Sequence, residues 1–114
     1  MVRNMPREAY LGLLKRARAL VGNSSSGIIE AGYLNVDVIN VGTRQEGRDR
    51  GRNVIDVEYG REEVAEVLAK LLRRRKAPGK TYDIYGNGRS GEKIAAIMAQ
   101  VRLDQQLRQK KITY

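Results

Sequence analysis

The sequence predicts a three-layer α/β fold with a parallel sheet, and three observations carry that expectation. Short apolar runs alternate with helix-period segments along the chain. The run Val36–Val41, VDVINV, is β-branched, with Asp37 and Asn40 its only polar residues, as a strand buried on both faces should be. Val64, Val67, Leu68, Leu71 and Leu72 recur at helical spacing, so one helix presents a single apolar stripe to a sheet. Strand followed by helix followed by strand argues for parallel pairing with helices on both faces.

Each element has its own warrant. Pro6 suits a first helical position, and Tyr10, Leu13, Leu14 and Ala17 follow at helical spacing. Ala19–Gly22 reads as a short buried strand. Gly27–Leu34 reads as a short helix, Gly42–Arg52 as a charged loop, and Asn53–Val57 as a third strand. A helix follows from Arg61 to Arg74, and its basic end, Arg73-Arg74-Arg75-Lys76, complements the negative pole of the helix dipole. Pro78 and Gly79 make Ala77–Thr81 a linker. Ile94, Ile97, Met98 and Val101 mark a last helix from Ser90 to Leu107, so residues 90–114 form a C-terminal helix and tail on a single domain spanning 1–114. Three strands are few for a complete domain of this class, which fits a fragment or a protein completed by a partner.

Composition narrows the chemistry. There is no cysteine, so disulfides, thiol catalysis and thiolate metal sites are excluded. There is no histidine, the usual acid–base group near neutral pH, and no cluster of side chains has metal-ligand spacing. No catalytic residue, metal or cofactor is expected from these residues. No apolar run reaches the roughly 20 residues that cross a bilayer, and the N-terminus has no signal-peptide pattern, so a cytoplasmic protein with no membrane contact is expected. A net charge of +9 favours anionic partners.

The string Gly22–Ala31, GNSSSGIIEA, carries the clearest chemistry. It follows an apolar run, in the order strand, small-residue turn, helix. The first N–H groups of a helix have no intrahelical partner, and the dipole adds roughly half a positive charge there. Ser24, Ser25 and Ser26 can add hydroxyl donors, and Gly27 would let a ligand approach the backbone. Glu30, further along the helix, is poorly placed for a phosphate and well placed for a ribose diol. These residues suggest a nucleotide diphosphate site, although a serine turn can also be a simple helix cap. Gly42–Arg48, GTRQEGR, is not a Walker loop, because the lysine-serine/threonine ending is missing.

GNSSSGIIEA, GTRQEGR, NVIDV (Asn53–Val57) and YGNG (Tyr85–Gly88), taken in order, resemble the C-terminal half of UDP-N-acetylglucosamine 2-epimerases, and most of all the hydrolysing branch that releases N-acetylmannosamine and UDP. The resemblance runs along almost the whole chain, including Lys110-Lys111. It implies a Rossmann-like domain, the C-terminal half of a GT-B arrangement, with the facing domain absent. It implies that Ser24 and Ser25 hydrogen-bond the diphosphate, that Ser26 and Gly27 start the helix, that Glu30 accepts from the ribose hydroxyls, and that Arg44 lies near the sugar–diphosphate end. Arg48 has a weaker claim, since Arg50 and Arg52 share its loop. The YGNG loop reads as structural, leading into the last helix. The implied ligand is UDP or UDP-GlcNAc, and the implied partner is a first-domain half or a second copy of the chain. Family members often carry proline where Asp37 stands.

Two other readings compete. The charge and the RRRK run would suit a nucleic-acid-binding module, but aromatics are only 5% and no recognition motif appears. A non-catalytic assembly domain would not need the serine, glutamate and arginine positions intact.

Overall fold

A computed structural model describes residues 4–74 and 84–102. Its elements are α1 (Arg7–Arg16), β1 (Ala19–Gly22), α2 (Ser25–Tyr33), β2 (Asp37–Val41), β3 (Val54–Val57), α3 (Arg61–Arg73) and α4 (Ser90–Gln100). The three strands pair in parallel in the order β1-β2-β3, with Gly22 opposite Asn40 and Asn40 opposite Asp56. The Rossmann-like three-layer reading is borne out. The predicted linker Ala77–Thr81, residues 103–107 of the expected last helix and Lys110-Lys111 lie outside the described residues; within them that helix ends at Gln100, short of the expected Leu107, because Val101 is extended and caps it.

The period-2 alternation of β2 sorts the core into two layers. Val38 points to one face, where it packs with Leu14, Ala31 and Val36, with Tyr10, Leu20 and Leu34 around them. Ile39 points to the other, where it meets Val57 and Leu71, with Val64, Val67 and Leu68 of α3 beside them. Helices α1 and α2 therefore cover one face and α3 the other. Fully burying such side chains contributes about 1.5–3 kcal/mol each.

Two local features differ from the sequence expectation. Helix α2 starts at Ser25, two residues before the expected Gly27, because Ser24 caps it: the Ser24 hydroxyl accepts from the Ser26 N–H at 3.3 Å. Its far end closes in a Schellman motif, with Asn35 at φ 55° and the Val36 N–H donating to the Ala31 carbonyl at 2.8 Å.

Asp37, the position that departs from the family habit, has a structural role. It is 9% exposed at the start of β2, and its carboxylate pairs with Arg18 at 3.3 Å and with Arg74 at 3.4 Å. Arg18 also donates to the carbonyls of Leu71 and Arg74, so one guanidinium ties the sheet to the last turn of α3.

Candidate anion site at the carboxyl ends of the strands

Loops that leave the carboxyl ends of neighbouring parallel strands must meet, and in open α/β sheets that edge is where ligands bind. The turn after β1 and the loop after β2 meet here. Gln45 donates its side-chain N–H to the Asn23 carbonyl at 2.8 Å. Arg44 reaches the same residue, with longer contacts of 3.4 Å to its carbonyl and 3.5 Å to its side-chain oxygen. The structure thus brings Arg44 beside the serine turn, although the two are about twenty residues apart in sequence.

Ser24 and Ser25 are exposed, and Ser24 is the cap residue of a nine-residue helix. Ser26 is engaged instead with α1: its hydroxyl lies 2.7 Å from that of Tyr10. Glu30 stands one turn further along the same row and pairs with Arg7 at 3.5 Å, its side chain 25% exposed. Ser26 and Glu30 therefore both face α1, and the part-buried Glu30 carboxylate has a partner there.

Gly27 corrects the sequence reading. A Cβ there would point at the sheet, 2.8 Å from Val38 Cγ1 and 3.6 Å from Leu20 Cδ2, and the residue is buried. The glycine is required by close helix–sheet packing, not by approach of a ligand from that side. Gly42, at φ +74°, is required for a different reason: the Tyr59 ring occupies the space its side chain would need.

Two helix N-termini face this edge, and they differ electrostatically. Helix α3 carries Glu62 and Glu63 in its first turn, and Glu63 accepts the Glu58 N–H at 3.0 Å. Its positive pole is already neutralised. Helix α2 has no acidic residue in its first turn. A cleft of about 320 Å³ opens on the α3 side, lined by Thr43, Glu46, Arg50, Asp56, Glu58 and Glu63 among others. Four carboxylates against one guanidinium make that cleft unsuited to a diphosphate. The α2 terminus, by contrast, has no acidic first turn and lies beside Arg44.

Sequence reasoning missed the groups that hold the loop in place. Arg50 pairs with Asp56, which also accepts from the buried Asn40 side chain at 2.7 Å. The same guanidinium donates to the Gln45 carbonyl at 2.6 Å and the Arg48 carbonyl at 3.2 Å. The polar interruptions in VDVINV and NVIDV were the available signal, since Asn40 and Asp56 are register partners. Arg48 is exposed and its side chain joins none of these contacts. In the YGNG loop, Gly86 and Gly88 have φ of 101° and 83°, and no strand flanks them among the described residues. No helix among the described residues is long and apolar enough to cross a membrane.

Comparison with known proteins places this sequence in a family. The sequence pattern of UDP-N-acetylglucosamine 2-epimerase matches residues 1–99. The chain is 34% identical over 107 residues to the UDP-N,N'-diacetylbacillosamine 2-epimerase (hydrolyzing) of Legionella pneumophila, a match that covers 94% of this chain and 28% of that protein. It is 56% identical over 50 residues to the polysialic acid biosynthesis protein P7 of Escherichia coli, covering 44% of this chain and 13% of that one. It is 43% identical over 61 residues to the UDP-N-acetylglucosamine 2-epimerase of Neisseria meningitidis, covering 54% and 16%. The chain thus spans less than a third of the length of the relatives it matches. Within that span, the chain belongs to the UDP-N-acetylglucosamine 2-epimerase family.

Proposed function

We propose that the chain binds the UDP moiety of a UDP-sugar, with the diphosphate at the N-terminus of α2. The observation that supports this reading best is the seating of the Gly42–Arg48 loop on the β1–α2 turn, which holds Arg44 beside Asn23, next to the cap residue of a helix with no acidic first turn. In this reading Ser24 and Ser25 donate to phosphate oxygens, and the first helical N–H groups and Arg44 balance the negative charge. Glu30 exchanges Arg7 for the ribose hydroxyls. As the nucleotide-binding half of a hydrolysing 2-epimerase, the site would stabilise UDP as it leaves the sugar, an electrostatic contribution to the reaction. No cofactor is required for that role. The groups that move sugar protons would come from a first-domain half or a second copy.

Titration calorimetry tests the reading. UDP should bind wild type in the high-micromolar to millimolar range, roughly 4–6 kcal/mol. Arg44→Ala should weaken UDP and leave uridine, which has no phosphate, unchanged. Equal effects on both ligands would refute the diphosphate assignment.

A further inference from the structure

Gln45 is the best-buried side chain of the Gly42–Arg48 loop, at 3% exposure, and the reading above gives it no task. Its amide is used on one side only. Nε2 donates to the Asn23 carbonyl at 2.8 Å, while Oε1 is buried without a hydrogen-bond partner among the described residues. The reverse orientation would set two oxygens against each other, so the donor must face Asn23. A buried amide that leaves its oxygen unsatisfied is a poor choice for stability alone. The Gln45 main chain is fixed from behind, where Arg50 donates to its carbonyl at 2.6 Å and is itself anchored on Asp56 and, through it, on Asn40 of β2. Asn23, the residue that receives the amide, immediately precedes the α2 cap.

We propose that Gln45 is a positioning residue for the diphosphate turn: its amide donor, braced through Arg50 and Asp56 on the sheet, fixes the Asn23 carbonyl and so aims the backbone N–H groups of Ser24 and Ser25, those of Ser26 and Gly27 being engaged by the Ser24 hydroxyl and carbonyl. This rests on the diphosphate reading of the α2 terminus. Gln45 touches no ligand in this account. It acts through the peptide at Asn23, where a small rotation would swing the cap and the first N–H groups of the helix together.

The test uses the full chain and inorganic pyrophosphate, which has no base or ribose. Gln45→Met keeps the shape and removes the donor. It should weaken pyrophosphate about tenfold, the loss expected for one buried hydrogen bond, and should move the Ser24–Gly27 amide signals in the ligand-free nuclear magnetic resonance spectrum. Gln45→Glu supplies a readout that a purely structural role would not move. Ionised, it presents two acceptors to the Asn23 carbonyl, whereas protonated it regains a donor. Its affinity relative to wild type at the same pH should therefore be low near about pH 8 and recover several-fold near about pH 5.5. Comparing the two proteins at each pH cancels the titration of pyrophosphate itself. Wild-type affinity in Gln45→Met, or a Gln45→Glu deficit that does not change with pH, would overturn the positioning role while leaving the diphosphate reading standing. Failure of wild type to bind pyrophosphate would overturn both.

Discussion

At the scale of single residues, the site separates groups that sequence chemistry assigns from groups that only packing reveals. Glu30 is the clearest case. Its pairing with Arg7 at 3.5 Å gives the free protein a partner for a part-buried carboxylate. We expect Glu30→Gln to weaken UDP by about 1.5–3 kcal/mol, the range for charge-assisted hydrogen bonds, and to leave pyrophosphate nearly unchanged. Calorimetry with both ligands checks this, and equal losses would remove Glu30 from the ribose. Gly27 makes an opposite prediction about stability. Alanine usually favours a helix interior, but here its Cβ would meet the stiff Val38 side chain at 2.8 Å. Gly27→Ala should lower stability by about 1–3 kcal/mol in chemical denaturation. The strand–turn–helix that carries the serines was legible from a small-residue turn after an apolar run; the structural partners of those side chains, with Ser24 capping α2, Ser26 against Tyr10 and Glu30 on Arg7, were not, because they depend on how α1 packs beside α2. The true reason for Gly27 was not legible, because it depends on which strand residue lies beneath it. Nor was the task of Gln45, because a glutamine in a polar loop looks solvated until the loop is seated.

At the scale of elements, periodicity read the strands and helices to within a residue or two, except at the far end of α4, which stops at Gln100 where the apolar spacing predicts continuation to Leu107. Helix α2 begins early because Ser24 accepts a backbone N–H, a choice that three consecutive serines leave open. The clamp of Asp37 on Arg18 and Arg74 joins residues far apart in sequence, which no local pattern discloses. Asp37→Ala would leave two guanidinium groups at the end of α3 without their carboxylate, and should cost about 1–3 kcal/mol of stability. Helix α3 also carries a surface pair: Lys70 lies 2.7 Å from Glu66 and holds its carboxyl below the ordinary 4.5, through a hydrogen bond first and charge attraction second. Because the folded value is the lower one, this support is complete above the ordinary glutamate value and is lost as pH falls through the lowered one. Lys70→Gln should remove that acid limb of helicity in far-ultraviolet circular dichroism, and an unchanged limb would show that the pair contributes nothing.

At the scale of the whole molecule, the parallel sheet and the charge balance converge on one edge. Sheet topology gathers two loops and two helix N-termini there, and side-chain charge decides between them: Glu62 and Glu63 occupy one, while Arg44 stands by the other. The apolar side chains of α4 remain outside that core. Ile94, Ile97 and Met98 are 56%, 65% and 70% exposed and share one helix face, and Val101, the residue that caps the helix, is 42% exposed. Such a stripe usually marks an interface, and a two-fold dimer is the commonest closure. Light scattering at about 100 µM should report a dimer that Met98→Lys dissociates; a strict monomer would contradict that expectation. The central claim, that the α2 terminus and Arg44 form the diphosphate site, is tested most directly by amide chemical-shift mapping of the full chain with millimolar UDP. The signals of Ser24–Gly27, Glu30 and Arg44 should move together and saturate, while those of Glu46, Glu58 and Glu63 in the acidic cleft stay in place. Shifts confined to that cleft, or none at all with the fold intact, would contradict it.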